Sequence, residues 1–238
     1  MRRARVCSVL VVTVVLLLAV AVCAAQPQSA APAKDDIAAL LKRAQAGDAA
    51  AQWGLAYSYQ SGQGVPQDYA QAAVWYRKAA EQGDASAQYN LALLYSNGQG
   101  VPQNYAQAAV WYRKAAEQGV AQAQFNLGVS YAFGRGVTQD YAQAAVWYRK
   151  AAEQGDAQAQ NNLGGLYGLG RGLPEDDAEA YFWMNIALAG NLGDKEQRTK
   201  SEKVRDAVAS TLTPAKLQEV QARATKWFEE HPAKIAAQ

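Results

Sequence analysis

The residues able to do chemistry in this 238-residue chain are few, and their spacing works against a reaction centre. His231 is the sole histidine and stands beside Pro232, where its charge would suit the C-terminal end of a helix dipole. Cys7 and Cys23 are the only cysteines, and both lie in an N-terminal apolar stretch. With no second histidine, and no thiol outside that stretch, neither a His/Cys metal cluster nor a histidine-assisted nucleophile can be assembled. Paired carboxylates are in principle enough for glycoside hydrolysis. Asp68, Asp140 and Asp176, however, stand where helix caps are needed, and Glu81, Glu117 and Glu153 repeat at one expected surface position. Gly62-x-Gly64 and its copies lack the strand-to-helix context and the Lys of a phosphate cradle, so they read as a tight turn. No catalytic residue, metal ligand or cofactor is expected.

The aromatic and basic residues invite the same test. Trp75, Trp111, Trp147 and Trp183 recur within apolar helical sequence, so they read as core rather than as ligand-stacking platforms. Arg77-Lys78 and its copies form a basic row near helix ends, which the dipole and pairing with Glu81 would account for.

What positions all of these is a repeat of period 36. Residues 69–83, 105–119 and 141–155 all read YAQAAVWYRKAAEQG. Ahead of each stands Leu55-Ala56-x-x-Tyr59, Leu91-Ala92-x-x-Tyr95 or Leu127-Gly128-x-x-Tyr131, with a fourth at Leu163-Gly164-x-x-Tyr167. A fixed period of this size indicates stacked supersecondary units. Each unit predicts two helices. The first opens at Asp48, Asp84, Val120 or Asp156, of which only Val120 cannot cap, and stops at Gly62, Gly98, Gly134 or Gly170. The second opens at Asp68, Asn104, Asp140 or Asp176, with Gln71, Gln107, Gln143 or Glu179 three residues on in a capping-box arrangement. It ends at Gly83, Gly119 or Gly155. Thr213 and Pro214 start a last helix whose Leu217, Val220, Ala224, Trp227 and Phe228 form an apolar stripe able to cover the final repeat.

The string Leu-Gly-x-x-Tyr, Gly-x-Gly-Val, Asp-x-x-x-Ala-x-x-Trp-Tyr-x-Lys-Ala-Ala-x-x-Gly resembles the Sel-one-like repeat, a relative of the tetratricopeptide repeat, from Asp48 to about Asn191. The resemblance implies an all-α fold, a right-handed alpha-alpha solenoid of four 36-residue helical hairpins with N- and C-terminal capping helices. It also implies a scaffold for protein complexes, with first helices lining the inner curve. On that basis the inward positions are Trp53, Tyr57 and Gln60; Tyr89, Leu93 and Asn97; Phe125, Val129 and Phe133; and Asn161. These differ between units whose second helices are identical, as a partner-specific groove would. Asn90, Asn126 and Asn162 are placed to bond a partner's backbone. A protein partner is the reading; an envelope enzyme acting on cell-wall glycan or peptide, or a carbohydrate-binding module, are the alternatives. Cysteine-rich secreted members of the family staple their repeats with disulfides, which this chain lacks the cysteines to do.

Arg2, Arg3 and Arg5 followed by the apolar run Val6–Val22 and Cys23-Ala24-Ala25 read as a secretory signal peptide cut after Ala25. Cleavage after Ala24, lipidation of Cys23 and an uncut anchor are the alternatives. Each of them places the rest of the chain outside the cytoplasm, in the periplasm or secreted, with no membrane insertion after cleavage. Loss of the three arginines reduces 23 basic residues to 20 against 21 acidic, a net charge of −1 in place of +2. A near-neutral chain without a basic block excludes nucleic acid as a partner. The organisation is therefore a signal peptide at 1–25, a flexible linker at 26–34 and an N-terminal capping helix at 35–47. Four repeats follow over 48–191 (48–83, 84–119, 120–155, 156–191), then C-terminal capping helices at 192–232 and a tail at 233–238.

Overall fold

The computed structural model describes residues 37–190, 192–193 and 195–231. The signal, linker and tail segments assigned above lie outside the described residues. Eleven helices follow one another: α1 (Ile37–Gln45), α2 (Ala49–Ser61), α3 (Tyr69–Glu81), α4 (Ala85–Asn97), α5 (Tyr105–Glu117) and α6 (Ala121–Phe133). Then come α7 (Tyr141–Glu153), α8 (Ala157–Gly168), α9 (Asp177–Ala189), α10 (Lys195–Thr211) and α11 (Pro214–Glu230). Each helix packs mainly on its neighbours in sequence, apart from α11, which folds back on α9. That is a solenoid of helical hairpins closed by α1 at one end and by α10 and α11 at the other.

The helix ends follow the sequence closely. Asp48, Asp84 and Asp156 each accept the backbone N–H three residues on, while Val120 leaves its helix without a side-chain cap. Asp68, Asn104, Asp140 and Asp176 do the same for the second helices. The reciprocal half of the expected capping box is absent. The N–H groups of Asp68, Asn104, Asp140 and Asp176 donate instead to the carbonyls of Tyr59, Tyr95, Tyr131 and Tyr167 at 2.9–3.1 Å. The returning chain lies so close to the first helix that a backbone acceptor arrives before the glutamine can. Glu179 is thereby free to accept from Trp183 Nε1 at 3.1 Å and to pair with Arg223.

Packing between repeats runs on three repeated devices. Leu55, Leu91, Leu127 and Leu163 are at most 1% exposed, each worth roughly 1.5–3 kcal/mol of burial. Beside them runs a buried glutamine ladder. Gln52, Gln88, Gln124 and Gln160 each donate at 3.0 Å to the carbonyl of Ala44, Ala80, Ala116 or Ala152 in the preceding helix. The first three accept in turn from Gln82, Gln118 and Gln154 at 2.7–2.8 Å. The ladder ends at Gln160, whose Oε1 meets no donor among the described residues because Gly190 stands where Gln154 does one repeat earlier.

The third device corrects an expectation. Arg77, Arg113 and Arg149 reach across to the next repeat and not only along their own helix. Each donates to the hydroxyl of Tyr95, Tyr131 or Tyr167 in the next repeat and lies over that ring at 5.7–5.8 Å. Lys78, Lys114 and Lys150 sit 4.1–4.2 Å above Trp75, Trp111 and Trp147, which are core residues, as is Trp183. The arginines of the basic row are thus an inter-repeat fastening, while its lysines cover the tryptophans of their own helices. The turn glycines have a similar use: Gly100 has φ +70, and a Cβ there would lie 2.2 Å from the Tyr69 carbonyl carbon of the preceding repeat. At the far end, Val220 and Ala224 are buried and Leu217, Trp227 and Phe228 pack beside them, so the predicted stripe does cover the last repeat.

Candidate partner-binding site

The face of the first helices that the family resemblance implies to be the inner one carries four columns of side chains, one residue per repeat in each. Trp53, Tyr89, Phe125 and Asn161 form the first, Tyr57, Leu93, Val129 and Gly165 the second, and Gln60, Ser96, Ala132 and Gly168 the third. All three shrink from the first repeat to the fourth. The remaining column, Ser61, Asn97, Phe133 and Leu169, turns from polar to apolar over the same distance.

The rings of the first column are half-buried and lean on their own repeat. Trp53 stacks on Tyr57 with centroids 5.6 Å apart, Tyr89 tilts against Tyr112 at 6.1 Å, and Phe125 against Tyr148 at 5.9 Å. They serve the core as well as the surface. The more open members of the predicted set are Tyr57 at 38%, Asn97, and Phe133 at 65% exposure. Leu93, Val129, Asn90 and Asn161 are half-buried along the same face.

The third column explains how the face changes character. Tyr76 donates to Gln60 Oε1 at 2.6 Å, and Tyr112 is hydrogen-bonded by Ser96, sixteen residues back in each case. Tyr148 meets Ala132 at that place and takes its bond from Asn162 of the next repeat. Burial pushes the Tyr148 hydroxyl up to about 12, with the Asn162 bond pulling it back. Tyr89 is raised by burial too, while Asn126 bonds its hydroxyl and the Asp156 carboxylate adds to the rise. Asn126 and Asn162 therefore spend part of their hydrogen-bonding capacity inside the chain.

Where the columns are smallest a hollow of about 600 Å³ opens between α6, α8 and α10. Phe133, Asn161 and Asn162 of the predicted set line it, together with Tyr148, Met184 and Val204. Trp53, Tyr57 and Gln60 belong to the opposite end of the face. The share taken by α10 was not legible in its sequence, which is mostly polar; the visible signal was the shrinking of the columns at period 36. Two glycines of α8 differ in kind. A Cβ on Gly164 would come within 2.8 Å of Met184 Cγ and 3.0 Å of the Ala180 oxygen, whereas one on Gly165 would meet nothing within 4 Å.

Among the described residues no group of three or more His, Cys, Asp or Glu side chains is placed to hold a metal ion. Asp48, Asp68, Asp84, Asp140, Asp156 and Asp176 cap helices, and His231 stacks on Trp227 at 4.4 Å with its Nδ1 2.8 Å from the Trp227 carbonyl. Among the described residues no helix is long and apolar enough to cross a membrane.

The chain matches the family model described as Sel1 repeat over residues 49–84, 85–120, 121–156 and 157–192. It is similar to the crystal structure of a Sel1 repeat protein from Oxalobacter formigenes, with 33% identity, a TM-score of 0.65, and 86% of this chain and 79% of that one covered. It is also similar to c5321, a protective antigen present in uropathogenic Escherichia coli strains that displays an SLR fold, with 31% identity, a TM-score of 0.44, and coverage of 86% and 58%. A sel1 repeat protein from Klebsiella pneumoniae subsp. pneumoniae gives 26% identity, a TM-score of 0.46, and coverage of 79% and 99%. No curated protein matches the chain.

Proposed function

We propose that this chain, which belongs to the Sel1 repeat family, is an exported scaffold that holds a segment of another cell-envelope protein along its inner face. Its repeats do the work of a scaffold: they fasten to one another through leucines, glutamines and arginine–tyrosine contacts, and they leave a continuous face to which each repeat contributes different side chains. The observation that carries the reading is that difference. Ser61, Asn97, Phe133 and Leu169 share one repeated position and are exposed yet all different, whereas Val74, Val110 and Val146 on the second helices are 47–48% exposed and are the same residue three times. Export rests on the arginines and apolar run at the N-terminus, and it puts the partner in the periplasm or outside the cell.

The test is affinity capture from an envelope extract with the purified protein, a Tyr57→Ala/Phe133→Ala variant and a Val74→Ala/Val110→Ala variant. Loss of one captured protein with the first variant, and its retention with the second, supports the reading. Equal capture by all three would remove the inner face from the interaction. Trp53, Tyr89 and Phe125 are poorer probes than their place in the first column suggests, because truncating them also disturbs the core.

A further inference from the structure

We propose that the hollow between α6, α8 and α10 binds a single-chain anionic amphiphile, of the fatty-carboxylate class. Its volume of about 600 Å³ is within the range of small-molecule sites. Its walls are Phe133, Leu166, Leu169, Met184, Val204 and Val208. Phe133, Leu169 and Val204 are 65%, 64% and 49% exposed, and they gather at this one opening rather than standing singly. Such walls suit an aliphatic chain, which has no polar groups to satisfy. An extended peptide would bring a backbone N–H and C=O at every residue against these apolar walls, where few side chains, Asn161, Asn162, Gln197 and Ser201 among them, offer partners.

The mouth supplies the opposite chemistry. Arg171 and Lys200 line it. Lys200 is paired with Glu196, both about three-quarters exposed, a contact that water keeps weak and a ligand can exchange. Arg171 lies 5.4 Å over the Tyr141 ring and takes part in no ion pair among the described residues, so its guanidinium can take a carboxylate in two charge-assisted bonds. Two cations against one carboxylate select an anionic head.

Gly165 supplies the remaining argument. Its counterparts are Tyr57, Leu93 and Val129, and nothing in the packing requires a glycine there, unlike at Gly164 next to it. A helix-weakening residue stands where a side chain would extend into the hollow, and Gly168 lines it one turn further on.

The hollow shares Phe133, Asn161 and Asn162 with the predicted partner-binding set, but its test substitutes and observes other residues, so the two readings can fail separately. Met184 is the only methionine besides Met1, so [¹³C-methyl]methionine labelling places one reporter in the wall. Dodecanoate, below its micelle-forming concentration, is expected to shift that resonance to saturation, with one site by calorimetry. Dodecyltrimethylammonium and hexanoate are each expected to bind at least about tenfold more weakly. Gly165→Leu, which places in the fourth repeat what the second already carries, is expected to weaken dodecanoate about tenfold with helicity unchanged, the effect of roughly two methylenes left in water. Arg171→Gln is expected to reduce the preference for the anion over the cation. Equal binding of the cationic amphiphile, unaltered affinity in Gly165→Leu, or sedimentation with phosphatidylglycerol vesicles without a shift at Met184 would each overturn the proposal.

Discussion

The outer and inner faces of the same hairpins obey different rules. On α3, α5 and α7 even exposed residues are identical, so packing alone does not account for the sameness; the repeats read as copies of one another. On α2, α4, α6 and α8 the buried columns keep Leu and Gln in every copy, yet one step round the helix the residues differ at almost every position. Undirected drift would have altered Val74, Val110 and Val146 as readily as Tyr57, Leu93 and Val129. The difference therefore follows the face, and a face that changes while its support does not is what partner recognition requires.

The comparison breaks first at the leucines. Leu91→Ala is expected to lower stability by about 2–5 kcal/mol in urea denaturation, because Leu91 is fully enclosed. Leu93→Ala, two residues on and facing inward, is expected to cost clearly less; equal losses would mean that the inner column is core. Next come the neighbouring glycines. Gly164→Ala is expected to cost about 1–3 kcal/mol by forcing Met184 and the Ala180 carbonyl apart from it. Gly165→Ala is expected to stabilise by about 1 kcal/mol, the ordinary gain from Gly to Ala within a helix. Gln124→Ala is expected to cost about 1–3 kcal/mol by stripping the Ala116 carbonyl and the Gln154 amide of a partner, with no effect on the inner face.

The smallest expected effect compares two capping aspartates. Asp48 is held below the usual 3.8 chiefly by its Arg43 hydrogen bond, so its stabilising contribution is present above 3.8 and lost as pH falls through the lower folded value. Asp156 is raised above 3.8 by burial, so its contribution is present below 3.8 and lost as pH rises through the higher folded value. Acidification from neutrality towards pH 4 should accordingly favour the native protein over Asp156→Asn. The same titration of Asp48→Asn should show its divergence only below 3.8. Stability against pH, measured on both variants, checks the signs.

Much of this was written in the sequence because it is local. Caps, the exception at Val120, the tryptophan core and the stripe on α11 depend on residues within one or two turns of each other. The missing half of the capping box was not legible, since it depends on how near the returning backbone comes to Tyr59 and its copies. Nor was the arginine–tyrosine fastening, which joins residues eighteen apart across two repeats. The hollow was the least legible part. It arises where the columns reach their smallest members in the third and fourth repeats, and from a largely polar helix, α10, that lends Gln197, Lys200, Ser201, Val204 and Val208 to its lining.

The most direct measurement is site-specific photocrosslinking in cells, with a photoreactive residue at Asn97 on the inner face or at Val110 on the outer one. An adduct with one envelope protein formed from position 97 and not from position 110 is the expected result. Adducts from position 110 alone, or from both positions alike, would contradict a partner held on the inner face.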